Sequence, residues 1–200
     1  MHTLFINTAS NPNFLALCTE EATLSICDLP THGNEEIMPK IEEILDLNNL
    51  EYKDLDQIAC AIGPGGFTSL RTGIAVANTL SYSLKIPAAG IHLSDLCTSR
   101  IKDFDKPFLW LHSTRRAELF VKGFGENGTS TPVALMDIRD VSGLQGEYIG
   151  ELIQEHKDIL VNCTQMDSGK LSNIKDVLPG TLSSLKYSKA ILMPWYGREA

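Results

Sequence analysis

The chain lacks the marks of several large protein classes. None of its apolar runs approaches the roughly 20 residues needed to cross a bilayer. Its opening, Met1-His2-Thr3-Leu4-Phe5-Ile6-Asn7, has no basic stretch ahead of a hydrophobic core, so no signal peptide and no membrane partner are expected. Basic residues are scarce: 17 Lys and Arg face 25 Asp and Glu, a formal charge of −8. A protein that grips nucleic acid unaided needs a basic face to neutralise phosphates. Here the one tight basic pair is Arg115-Arg116, so any RNA is expected to be held by a partner. The five cysteines (18, 27, 60, 97 and 163) form no C-x-x-C pair, and most sit in apolar runs. They read as reduced, buried thiols of a cytosolic protein. The five histidines form neither H-x-x-x-H nor H-E-x-x-H, so spacing reveals no metal site. G-x-S-x-G is missing, and there are no sequence repeats or low-complexity segments.

What is present suffices for a core: 43% of the 200 residues are hydrophobic, enough for one domain or two small ones. The polar stretch Asp103-Phe104-Asp105-Lys106-Pro107 marks a boundary, dividing the chain into 1–104 and 105–200. Residues 3–8 read as a buried strand, and 14–19 and 22–29 as a hairpin around Glu20-Glu21. Ile37, Ile41, Ile44 and Leu45 recur at helical spacing, with Asn34 as the N-cap. A strand at 56–63 leads through glycines into a helix reaching Leu84, followed by a strand at 88–90 and a helix at 94–100. Beyond the boundary, strands are expected at 108–112, 118–124, 133–136 and 159–162, with a turn tip at 125–130 and a helix at 147–156. The last forty residues give little signal.

Gly63-Pro64-Gly65-Gly66-Phe67-Thr68-Ser69-Leu70-Arg71 is the most informative stretch. Strand, glycine turn and helix start together present unpaired N–H groups that can accept an anion, with Gly65, Gly66, Thr68 and Arg71 as the binding candidates. The structural alternative is that glycines let the chain turn sharply and the helix sit close. A P-loop is excluded, because no lysine lies between Lys53 and Lys85; Thr68 stands where a dinucleotide fingerprint needs a glycine. Within the following helix, Leu70, Ile74, Ala77 and Leu84 mark one face, while Gly73, Ala75, Ala77 and Ser81 keep the surface small. Such a surface suits packing on its own sheet or close approach by a helix of a second protein.

Candidates for catalysis are weak. His92, Ser94 and Asp95 can be drawn as a triad, but without G-x-S-x-G they read as a capped helix start. Cys97 lies in an apolar setting that favours an inert thiol. Glu35-Glu36 and Glu42-Glu43 read as the solvated face of a helix.

His32 with Pro39-Lys40-Ile41-Glu42-Glu43-Ile44-Leu45, followed by the Gly63 stretch, resembles the TsaB (YeaZ) family. Arg115 and Glu118 match a later family strand, and Pro194-Trp195-Tyr196-Gly197-Arg198 resembles its closing motif. The resemblance implies the α/β fold of actin, Hsp70 chaperones and sugar kinases (the ASKHA fold): two subdomains with mixed sheets, the second reduced. It implies a cytoplasmic, non-catalytic subunit that binds and activates a TsaD-like transferase, together with a TsaE-like ATPase. The product is threonylcarbamoyladenosine beside the anticodon of tRNAs that read codons starting with A. The tRNA would be reached only through the complex. A third reading is a homodimer of the chain alone, in which the same helices pair with themselves. The two helices would carry the pairing, through Ile37, Ile41, Ile44, Leu45, Leu70, Gly73, Ile74, Ala77 and Ser81. No cofactor is expected for the chain by itself, with ATP or ADP at a shared interface as the other reading. The other functional reading is a metal-dependent peptidase or small-molecule kinase of the same fold. Against it, Leu93 and Cys97 fall at the transferase's metal-ligand positions, and Asn7 and Ser113 replace family aspartates.

Overall fold

Leu4, Phe5 and Ile6, all fully buried, form the middle of β1 (Thr3–Asn7), the central strand of the first sheet in the computed structural model. The structure describes residues 1–30, 36–102, 106–125 and 129–197. A strand covered on both faces needs a continuous apolar run rather than alternation, which is what this segment supplies. β2 (Asn13–Cys18) and β3 (Thr23–Leu29) extend the sheet antiparallel on one side, with Thr3 opposite Cys18. The hairpin closes through Thr19 N–H donating to Ala22 O at 2.8 Å. After α1 (Ile37–Asp46), β4 (Gln57–Gly63) joins β1 in parallel. α2 (Phe67–Leu84) then carries the chain to β5 (Ala88–His92), parallel to β4, giving the order β3-β2-β1-β4-β5. α3 (Leu93–Thr98) follows.

The second sheet repeats this plan. β6 (Phe108–Arg115), β7 (Glu118–Phe124) and β8 (Ala134–Asp137) form an antiparallel meander. β9 (Gly146–Glu151) lies parallel to β6, and after α4 (Gln154–Ile159), β10 (Cys163–Gln165) lies parallel to β9. The order β8-β7-β6-β9-β10 reproduces that of the first sheet, sense for sense. Leu111, Leu119, Val121, Val141, Tyr148 and Leu160 fill its core. The expected α/β class with two mixed sheets is what the structure has.

The chain forms two units, residues 1–96 with 173–195 and residues 97–172 with 196–200. The division therefore differs from an uninterrupted 105–200 subdomain. α5 (Ile174–Ser183) buries Leu178 and Leu182 and packs against β3, which returns the chain to the first unit. The segment after it adds to the sheet edge: Ser188 and Ala88 exchange both backbone hydrogen bonds, at 2.8 and 2.9 Å.

Two expected elements are corrected. Residues 146–151 are a strand where a helix over 147–156 was read, because Tyr148, Ile149, Leu152 and Ile153 also fit helical spacing and the parallel pairing with β6 decides. The strand read at 159–162 lies instead at Cys163–Gln165. The expected cap Asn34 falls outside the described residues.

Candidate functional site

The glycine turn is shaped by what packs on it. A side chain on Gly63, whose φ is 123°, would run into the carbonyl of Trp195 and the side chain of Leu70. One on Gly65 would press into the backbone of Ala9 in the turn after β1. Two of the glycines are thus required by close approach, which supports the structural reading of the stretch. Trp195 is tied there by its N–H, which donates to Ile62 O at 2.7 Å, and its ring meets His92 edge-on at 4.5 Å between centroids.

Gly66 caps α2 without a side-chain partner, and Thr68 and Arg71 are exposed in the first turns. The Arg71 guanidinium lies 3.8 Å over the Phe67 ring. A helix start and an exposed cation therefore coincide at Gly66, Thr68 and Arg71, while Gly65 contributes packing. Across the turn, Asn7 is fully buried; its amide donates to Ser10 Oγ at 2.6 Å and accepts from Ala9 N–H at 3.1 Å. The asparagine closes this turn with both ends of its side chain.

The expected interface residues need a correction. Ile37, Ile41, Ile44 and Leu45 of α1, and Leu70, Gly73, Ile74 and Ala77 of α2, are buried in the chain's own core. Ser81 is half-buried, its hydroxyl donating to Ile86 O at 2.7 Å. Helical periodicity finds the face that a helix buries, and here that face covers the sheet. Gly73 is small because the Thr8 side chain lies against it. The faces open to a partner are the opposite ones: Met38, Glu42, Glu43 and Asp46 on α1, and Phe67, Arg71, Ala75 and Thr79 on α2.

The triad candidates form a helix start. Ser94 is fully buried; its N–H donates to His92 Nδ1 at 3.1 Å and its hydroxyl lies 3.2 Å from Asp95 Oδ1. Leu93 is buried, and burial pushes the Cys97 thiol up to about 12 against a hydrogen bond from Trp110 that pulls it down. Such a thiol is not a thiolate at neutral pH. Among the described residues no group of three or more His, Cys, Asp or Glu is placed to hold a metal.

Sequence reasoning missed the pairing of a buried histidine with a half-buried serine in the second unit. Ser113 Oγ lies 2.8 Å from His156 Nδ1 and accepts from Ile153 N–H at 3.2 Å, while His156 Nε2 donates to Arg116 O at 3.0 Å. The serine at the aspartate position of the resembled family is the one signal that pointed there.

A family model described as TsaD: tRNA N6-adenosine threonylcarbamoyltransferase matches residues 30–167. The tRNA threonylcarbamoyladenosine biosynthesis protein TsaB of Buchnera aphidicola subsp. Acyrthosiphon pisum (strain APS) is 35% identical over 101 residues, 43% of this chain and 45% of that protein. The protein of the same description from Bacillus subtilis (strain 168) is 27% identical over 122 residues, 60% of this chain and 53% of that protein. The matched stretch spans about half the length of these curated relatives. In structure, an uncharacterized Pseudomonas aeruginosa protein with similarity to peptidase YEAZ superposes with a TM-score of 0.74 at 18% identity, covering 98% of this chain and 99% of that one. At that identity the likeness is one of fold. No helix among the described residues is long and apolar enough to cross a membrane.

Proposed function

Since the chain belongs to the tRNA N6-adenosine threonylcarbamoyltransferase (TsaD) family and its relatives include TsaB proteins of tRNA threonylcarbamoyladenosine biosynthesis as well as the transferases themselves, we propose that it is a cytoplasmic accessory subunit that binds and activates a TsaD-like transferase. The observation that carries this reading is the outer face of α2, where Ala75 and Thr79 leave a small, uncharged strip between Phe67 and Arg71 at one end and Tyr82 at the other. Small side chains let a partner helix approach closely, and an aromatic at the rim supplies contact area. The acidic outer face of α1, with Glu42, Glu43 and Asp46, would set the orientation of the partner.

The chain does no chemistry of its own in this reading. Ser94, the serine of the triad candidate, is buried at a helix start, and the Cys97 thiol is raised by burial to about 12, so neither is poised as a nucleophile. The glycine turn is the relic of an anion site, and no cofactor is assigned to the chain alone. A TsaE-like ATPase joins the complex, and tRNA is reached through the transferase, in keeping with the charge of −8.

Reconstitution tests the proposal. The mixture holds tRNA, threonine, bicarbonate, ATP, the carbamoyl-adenylate synthase, the transferase and the small ATPase, with and without this chain, and product is followed by mass spectrometry. Product that depends on the chain supports the reading; equal product without it overturns it. Ala75→Arg, on the exposed face, should abolish both stimulation and co-sedimentation with the transferase. Retained binding by that variant would remove α2 from the interface.

A further inference from the structure

The C-terminal end of α2 and the returning segment after α5 enclose a cavity of about 430 Å³ in the first unit. Its walls include Tyr82, Lys85, Ile86, Lys189, Ala190 and Ile191. Both walls are fixed by backbone hydrogen bonds. α2 stops at Lys85, which takes a left-handed conformation (φ 59°), and Ile86 N–H donates back to Ser81 O at 3.1 Å. On the other side, Ser188 is paired with Ala88, and the Asn78 amide holds both backbone groups of Leu192. A groove held on both sides is organised before anything enters it, so binding there costs little ordering entropy.

Its surface is unusual for this chain. Tyr82 is 87% exposed and Ile191 75%, which places two large solvent-facing side chains in the lining of one groove. Exposed apolar surface gathered in one place marks an interaction site, whereas scattered residues do not. The charge is also reversed locally. Lys85 and Lys189 stand at the rim, no carboxylate lines the cavity, and neither lysine makes an ion pair among the described residues, although the chain as a whole carries −8.

We propose that this groove is the docking site for a peptide segment of a protein partner in which acidic residues alternate with large apolar ones. The apolar side chains of the segment enter between Tyr82 and Ile191, and its carboxylates meet Lys85 and Lys189. Nucleic acid fits less well: two lysines are a small counterweight to the overall negative charge, and Ile86 and Ile191 offer aliphatic surface rather than stacking planes. The groove shares Tyr82 with the end of the strip around Ala75 on which the transferase reading rests, but Ala75→Arg tests that strip and the lysine pair tests the groove, so either can fail alone.

The test uses the whole chain with three fluorescein-labelled probes. One is a short peptide alternating Glu with Leu and Phe, one is the same peptide with Lys for Glu, and one is an oligouridylate RNA. Anisotropy should give saturable binding of the acidic peptide, with methyl NMR shifts confined to Ile86, Ala190 and Ile191 and their surroundings. The exposed pair Lys85→Glu with Lys189→Glu should weaken the acidic peptide by about tenfold or more and give the lysine peptide the preference. An unchanged melting temperature of the variant shows that the fold is retained. The proposal is overturned if the acidic peptide does not saturate, if the charge swap leaves the preference unaltered, or if the shifts lie elsewhere. Binding of the RNA in place of the peptide would make the groove a nucleic-acid site and overturn it equally.

Discussion

The side chain of Asn78 does the work of a neighbouring strand for Leu192: its Nδ2 donates to Leu192 O at 3.0 Å and its Oδ1 accepts from Leu192 N–H at 2.9 Å. One residue of α2 thereby fixes a segment 114 positions later in the chain. Asn78→Ala removes both bonds, at an expected cost of about 1–3 kcal/mol. Amide hydrogen exchange at Leu192 and Trp195 should quicken while that of β1 stays unchanged. Asn78→Asp keeps the acceptor but sets a carboxylate against Leu192 O. Its loss should therefore be partly recovered in acid, once the carboxyl can donate. Unaltered exchange at Leu192 in Asn78→Ala would show that the segment is held by other contacts.

His156 is fully buried, and its two ring nitrogens have distinct jobs. A backbone carbonyl can only accept, so the proton sits on Nε2, facing Arg116 O, and Nδ1 accepts from the Ser113 hydroxyl. His156→Ala leaves a cavity and two unsatisfied groups, with an expected loss of about 2–4 kcal/mol. Ser113→Ala should cost about 1–3 kcal/mol, and the double variant less than the sum. Trp110 is a fully buried reporter in the second unit, so urea unfolding of these variants in a Trp195→Phe background reads that unit. Additive losses would mean that the two side chains act independently.

The thiols should sort by depth. Burial pushes Cys60 and Cys97 up to about 12, while Cys27 and Cys163 are raised less; by exposed surface Cys60 is buried and Cys97 is half-buried like Cys27 and Cys163, so it is the height of the raised thiol that sets it apart. Iodoacetamide on the native chain should label Cys27 and Cys163 first, and Cys60 and Cys97 only on unfolding; peptide mass mapping gives the order. A thiol raised in the folded state contributes stability fully present below its unfolded value, near 9.0, and lost as pH climbs towards about 12. The melting temperature should therefore fall above about pH 9. Early labelling of Cys97 in the native chain would contradict its burial.

Much of the first unit was legible because each strand and helix carries one period. The apolar run of β1, the hairpin around Glu20-Glu21 and the limits of α2 all follow from local pattern. The second unit was harder to read. Tyr148-Ile149-Gly150-Glu151-Leu152-Ile153 satisfies a helix as well as a strand, and only pairing with Leu109–His112 chooses. The duplicated strand order escaped notice because it is a repeat of topology, with no matching repeat of residues. At the candidate site, periodicity named the inward faces of α1 and α2 and so marked Ala77 where Ala75 is the exposed position. Outward faces carry no period that distinguishes a partner from water. Asn78 was invisible for another reason, its partner Leu192 being distant in the chain; Ser113 stood out as a replaced aspartate, but its partner His156 is also distant and could not be named.

The return of residues 173–195 to the first unit has a bearing on how the molecule is made. Synthesis runs from the N-terminus, so β1 to β5 emerge early but wait for α5 and the strap held by Asn78 and Ala88. Residues 97–172 are translated before that strap. The half of the protein that is begun first is therefore completed last, and a ribosome stalled near residue 170 would display the edge of β5 uncovered and α2 without the segment that forms the other wall of its groove.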